Sequence, residues 1–156
     1  MKKRIVIFVA AMGCLLATRL VVMSATPLFE PSEARYAAIS ANMARTGDFL
    51  VPRFTHKGIY QPFAGKPPLV FQTSGAFCRL FGISEFSVRI VPFLSFVLLL
   101  VLLFFIVRQL VGAEAGMLAA GICASSVALY AAAGFCMTDT PPCVLHVRRA
   151  AVISPP

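Results

Sequence analysis

Apolar residues fall along this chain in long blocks, and three of them have the length a bilayer span requires. The first runs from Ile5 to about Phe29, behind the cationic start Lys2-Lys3-Arg4, and is interrupted by Arg19. Its uncharged part, residues 5–18, also fits the apolar core of a secretory signal peptide. Met23 at the −3 position of the Ala25 region makes a poor cleavage site, so an uncleaved helix is expected. The second block, Ile90 to Val107, carries no charge over its 18 residues. At ~1.5 Å per residue it covers roughly 27 Å, close to the ~30 Å hydrocarbon core. Pro92 would fall in its first turn, where a missing N–H costs least. The third block, Ala115 to Thr138, is 24 uncharged residues rich in Ala, Gly and Ser. Small residues let helices approach closely in lipid.

Between the first two blocks the pattern is mixed. Ser32 can N-cap a helix starting at Glu33, whose carboxylate suits the positive helix end. Tyr36, Ile39 and Met43 form an amphipathic stripe over 33–46, and Gly47 can terminate it. Asp48 to Phe54 reads as extended chain ending in a turn over Thr55–Gly58. Gly65-Lys66-Pro67-Pro68 then opens a second short helix that runs to about Phe81 and stops at Gly82. The expected fold class is therefore all-α membrane: multi-pass transmembrane helices with two juxtamembrane amphipathic helices in the first outer loop. The expected organisation is a first span with a basic cytoplasmic N-terminus over 1–29, an outer loop over 30–89, and spans two and three over 90–142. An atypical tail occupies 143–156.

Composition narrows the function. Of 156 residues 59% are hydrophobic and 13% charged, with a mean hydropathy of +0.86, against about 25% charged in an average soluble domain. Soluble enzymes, disordered tails and nucleic-acid readers are excluded. The net charge of +8 is dispersed between apolar runs without a basic face. Membrane lipids or a phosphate-bearing substrate are the expected counter-charges, and no nucleic acid is expected as a partner. Five cysteines show no C-x-x-C pair, and no metal site is expected.

Charge placement also sets an orientation. Lys2, Lys3 and Arg4 stay in the cytoplasm, residues 30–89 lie outside, Arg108 marks a cytoplasmic turn, and Asp139 is outside again. Glu30, Glu33 and Asp139 thereby share one membrane face. The outer loop carries seven cations (Arg35, Arg45, Arg53, Lys57, Lys66, Arg79 and Arg89) against four acids. The positive-inside bias weakens in loops of about 60 residues, and a site that holds phosphate at the membrane surface needs Arg or Lys there.

Five motifs in order carry a family resemblance: Glu30-Pro31-Ser32-Glu33-Ala34-Arg35-Tyr36-Ala37, Thr46-Gly47-Asp48-Phe49-Leu50-Val51-Pro52-Arg53, Gly65-Lys66-Pro67-Pro68-Leu69, Leu80 through Arg89, and Met137-Thr138-Asp139-Thr140-Pro141. Over about residues 5–142 the chain resembles the N-terminal part of the polytopic GT-C glycosyltransferases. These include the protein O-mannosyltransferases and the lipid A aminoarabinose transferase. The resemblance implies sugar transfer from a polyprenyl-phosphate carrier to a protein, lipid A or glycan acceptor on the outer face of the inner membrane, with no cofactor. It implies catalytic roles for Glu33 and Asp139, and phosphate contacts for Arg35 and Lys66. The family motif Asp-Glu-x-Arg-Tyr places its first acid where this chain has Ser32, so Glu30 or Glu33 would have to substitute for it.

The chemistry fits the same residues: a carboxylate takes the acceptor proton at roughly 2.6–3.2 Å, and cations stabilise the departing phosphate. Each residue also has a plainer reading. Glu33 can serve as a helix-end charge, Asp139 as a solvated helix end, and Arg35 and Lys66 as headgroup anchors. Arg19 is either a bundle-facing functional residue or a sign that the first helix is misplaced. From Cys143 onward the sequence no longer continues a membrane helix, and family members are several times longer. A truncated or frame-shifted chain, inactive alone, is the expectation. A small non-catalytic membrane protein that binds lipid phosphate or a membrane partner is the alternative, and a transporter a third reading with less support.

Overall fold

The computed structural model describes residues 2–28, 31–56 and 59–136. Helix α1 (Lys2–Ala25) runs without interruption through Arg19. Helix α2 (Pro31–Thr46) begins two residues before the expected start, with Pro31 in the first turn, where its missing N–H is tolerated. Ser32 is therefore inside that turn rather than its cap. Gly47, at φ 74°, ends the helix, and its N–H bonds to the Met43 carbonyl at 2.9 Å.

The stretch that follows forms an antiparallel hairpin of β1 (Arg53–His56) and β2 (Ile59–Pro62), with Phe54 opposite Gln61 and Thr55 opposite Tyr60. The sequence marks extended chain up to Phe54. Thr55 and His56, expected in a turn, belong to β1, and the antiparallel register pairs them with Tyr60 and Ile59 of β2; Lys57 and Gly58 lie outside the described residues. Helix α3 (Leu69–Phe81) starts after Pro68 and stops at Gly82, φ 86°.

Helix α4 (Glu85–Leu110) starts five residues before the apolar run, because the Ser84 hydroxyl accepts the Ser87 N–H and caps it. Pro92 consequently lies inside the helix rather than in its first turn. Among the described residues the third apolar run is not one helix. It splits into α5 (Ala113–Ser125) and α6 (Val127–Ala132) at Ser126, whose ψ of 117° is extended. The Ser125 hydroxyl bonds back to the Ile122 carbonyl at 3.1 Å, a local bond that competes with helix continuation.

Two helices, α1 over Lys3–Ala25 and α4, are long and apolar enough to cross a membrane, while α5 is a shorter apolar helix. The architecture is that of an all-α membrane protein, with one short hairpin added. At one end of the spans Gly112, φ 127°, turns α4 into α5, and the exposed Arg4–Glu114 pair at 3.2 Å joins the starts of α1 and α5. Along the bundle Phe96, Leu100, Ala124 and Ala133 form a core with Leu15 and Leu16 of α1. At the other end α2, the hairpin and α3 pack around Ile39, Met43 and Phe71. Tyr36, Phe63 and Phe71 meet there edge-on or tilted at 5.5–6.1 Å.

Candidate functional site

The end of the bundle that carries α2 is organised by one buried ion pair. Arg89 sits in the second turn of α4 and is 1% exposed; Glu33 sits in the first turn of α2 and is 0% exposed. The guanidinium grips the carboxylate with both prongs: Nε donates to Oε1 at 2.8 Å and Nη2 to Oε2 at 3.0 Å. Such a fork is the geometry arginine supplies and lysine cannot.

The remaining donors of Arg89 reach the end of α1. Nη1 donates to the Met23 carbonyl at 2.8 Å, to the Thr26 carbonyl at 2.5 Å and to the Thr26 hydroxyl at 3.2 Å; Nη2 also reaches the Pro27 carbonyl at 3.0 Å. A helix C-terminus leaves its last carbonyls without partners and carries a negative partial charge, so a cation is favoured there. Glu33 in turn lies at the positive N-terminal end of α2. Its Oε1 accepts a further bond from the Cys136 N–H at 3.1 Å. Both buried charges are thus paired and hydrogen-bonded, the condition under which burial is tolerated.

Of the other expected site residues, Arg35 and Lys66 are among those described. Arg35, two residues beyond Glu33, points to the exposed side of α2, with its guanidinium 5.8 Å from the centre of the Phe54 ring. Lys66 is exposed in the segment between β2 and α3. Glu30 and Asp139 lie outside the described residues. Asp139 follows Cys136 by three positions in the sequence, and the fold brings Cys136 onto Glu33 across 103 residues.

Sequence reasoning counted Arg89 only as one loop cation and missed its role. A signal was present: Arg89 immediately precedes the uncharged block of residues 90–107, and a cation at such a depth calls for a partner. Arg19 faces the bundle. Its Nη2 donates to the Ala131 carbonyl, and its guanidinium lies 5.2 Å from the centre of the Tyr130 ring and 5.8 Å from that of Phe135. It joins α1 to α6 and does not interrupt the helix.

Residues 65–152 match the family model described as dolichyl-phosphate-mannose-protein mannosyltransferase. The undecaprenyl phosphate-alpha-4-amino-4-deoxy-L-arabinose arabinosyl transferase of Edwardsiella ictaluri is 31% identical over 113 residues, which are 72% of this chain and 20% of the relative. The protein of the same description from Aeromonas hydrophila is 34% identical over 84 residues, 54% of this chain and 15% of the relative. Among solved structures, the crystal structure of ArnT from Cupriavidus metallidurans in the apo state superposes with a TM-score of 0.83 at 25% identity. That likeness covers 96% of this chain and 27% of ArnT. The chain spans a fifth or less of the length of these two curated relatives. The family match covers more than half of the chain, and the chain belongs to the dolichyl-phosphate-mannose-protein mannosyltransferase family.

Proposed function

We propose that this chain forms the start of a glycosyltransferase site that takes a sugar from a polyprenyl-phosphate carrier and passes it to a protein, lipid A or glycan acceptor. The reading places it in the inner membrane as a multi-pass protein, with α2, the hairpin and α3 along the outer surface. The observation that carries it is the docking of Cys136 on Glu33. This contact holds the backbone at Cys136, three positions before Asp139 in the sequence, against the helix that bears Arg35.

In this reading Arg35 and Lys66 receive the carrier phosphate, which leaves with growing negative charge. Asp139 is the favoured base for the acceptor hydroxyl, with Glu30 as its nearest substitute. Glu33 enters as the anion that holds the frame, since both its oxygens are occupied by Arg89 and Cys136. For Glu33 itself to act as base, that pair must first open. The transfer draws on the carrier-linked sugar as donor and calls for no cofactor.

A specific observation also favours a second reading. Ser32 stands where the resembling motif has its first acid, and the neighbouring Glu33 is sequestered. A chain that binds the carrier phosphate without turnover would show these features. One experiment tests both. The chain is reconstituted in lipid nanodiscs, titrated with undecaprenyl phosphate, and then supplied with a polyprenyl-phosphate-linked sugar and an acceptor. Saturable binding that is lost in the Arg35→Ala/Lys66→Ala variant supports the site, and turnover then selects the first reading over the second. Unchanged binding in that variant removes both cations from the site.

A further inference from the structure

We propose that Arg89 is a positioning residue: a latch on α4 that holds the end of α1 directly and, through Glu33, the start of α2 and the backbone at Cys136. The inference rests on the transferase reading for its purpose, but not for its geometry.

The argument starts from the donors. A guanidinium has five N–H groups in a fixed plane, and Arg89 directs them to four different residues. Met23, Thr26 and Pro27 lie on the chain running out of α1 toward Glu30; Glu33 belongs to α2, two residues before Arg35. Glu33 passes the constraint on by accepting the Cys136 N–H, so the backbone at Cys136, three positions before Asp139 in the sequence, is held by the same pair. These segments are distant in sequence: Arg89 and Glu33 are 56 positions apart, and Glu33 and Cys136 are 103 apart.

No apolar contact supplies the directional constraint of a fork. The surrounding core of Ala37, Cys78, Val88 and Cys136 contributes burial, which is non-directional. Arg89 itself is 1% exposed, and its donors are turned to protein acceptors. Its effect on chemistry must pass through the groups it holds. Displacing a reacting group by about 1 Å can cost on the order of a hundredfold in rate.

The test uses the chain in lipid nanodiscs and two variants. Arg89→Lys keeps the charge and loses the fork. Glu33→Leu/Arg89→Met removes both charges together, so neither is left buried and unpaired if the single change prevents folding. Hydrogen exchange is read on peptides covering residues 133–136 and, for comparison, α3. In the double variant the Cys136 amide loses its acceptor. It is expected to exchange faster by at least about tenfold while α3 stays protected, as for a local opening. Turnover of a polyprenyl-phosphate-linked sugar is expected to fall toward about a hundredfold in kcat with the donor KM little changed. Arg89→Lys is expected to lie between the double variant and the parent in both readouts.

Unchanged exchange at 133–136 in the double variant overturns the latch. So does a parallel rise in α3, which would make the pair a general stabiliser. Unchanged binding of undecaprenyl phosphate in Arg35→Ala/Lys66→Ala overturns the transferase reading, while the exchange result decides the latch whether or not a chain of a fifth of its relatives' length turns over alone.

Discussion

Ser74 of α3 and Val88 of α4 meet at 3.4 Å, hydroxyl to carbonyl, at the point where a proline has removed a helical donor. In an uninterrupted helix the Val88 carbonyl would accept from residue 92, but Pro92 has no N–H to give. Ser74 is fully buried and fills that vacancy from the neighbouring helix. Ser74→Ala is expected to destabilise the fold by about 1 kcal/mol, as for a buried carbonyl losing its partner. Pro92→Ala restores the intrahelical donor, so in the double variant the Ser74→Ala loss should largely vanish. Denaturation in detergent mixtures measures the cycle. An undiminished loss in the Pro92→Ala background would show that Ser74 acts by packing.

Gly116 sets how closely α5 approaches α4. A Cβ at that position would lie 2.8 Å from the Phe104 carbonyl oxygen and 3.2 Å from the Phe104 ring. The backbone oxygen cannot rotate away, so the helices must separate. Gly116→Ala is expected to cost about 1–3 kcal/mol, the usual range for overpacking. Gly121→Ala meets only a Phe8 ring carbon at 3.5 Å and is expected to be nearly neutral. Thermal aggregation temperatures of the two variants, measured side by side, check the contrast.

The two ion pairs at opposite ends of the bundle should differ sharply in weight. Arg4–Glu114 has side chains 76% and 65% exposed, and Glu114→Ala is expected to change stability by less than about 1 kcal/mol. Glu33→Ala leaves Arg89 as a buried, uncompensated cation and is expected to cost about 3–5 kcal/mol. Glu33→Leu/Arg89→Met should recover much of that loss, because no charge is left unpaired. Chemical denaturation of the four proteins decides it; a double variant as unstable as Glu33→Ala would contradict the account.

Helices α1 to α4 were legible because they rest on local signals. Uncharged blocks gave α1 and α4, and the Tyr36-Ile39-Met43 stripe and the positive-φ glycines at 47 and 82 gave α2 and the end of α3. What stayed hidden depends on tertiary partners or on single backbone angles. Strand β2 needed β1 beside it, and the break at Ser126 is one extended residue inside a run whose composition is uniformly apolar. Arg89 and Glu33 were both visible as charges. Nothing local joins residues 56 apart, and the contact exists only because α1, α2 and α4 converge there. The candidate acids and cations were drawn from motif order, which names residues but not their engagement. The sequestration of Glu33 is therefore a property of the fold.

Cys78 offers a titration that reports on the packing of α3. The thiol is buried beside Ala37, Val88 and Cys136, and burial raises its pKa above the ordinary value of 9.0. The folded chain therefore holds this proton where the unfolded chain has already lost it. Its contribution is fully present below the unfolded-state pKa, and it is lost as pH rises through the folded value. Melting temperature should accordingly fall on the alkaline side, from about pH 9 upward. Cys78→Ala, which has no proton to lose, should flatten that part of the profile while lowering stability at neutral pH through the small cavity it leaves. Melting scans from neutral to alkaline pH on both proteins provide the comparison. An alkaline fall of equal size in Cys78→Ala would assign it to another group.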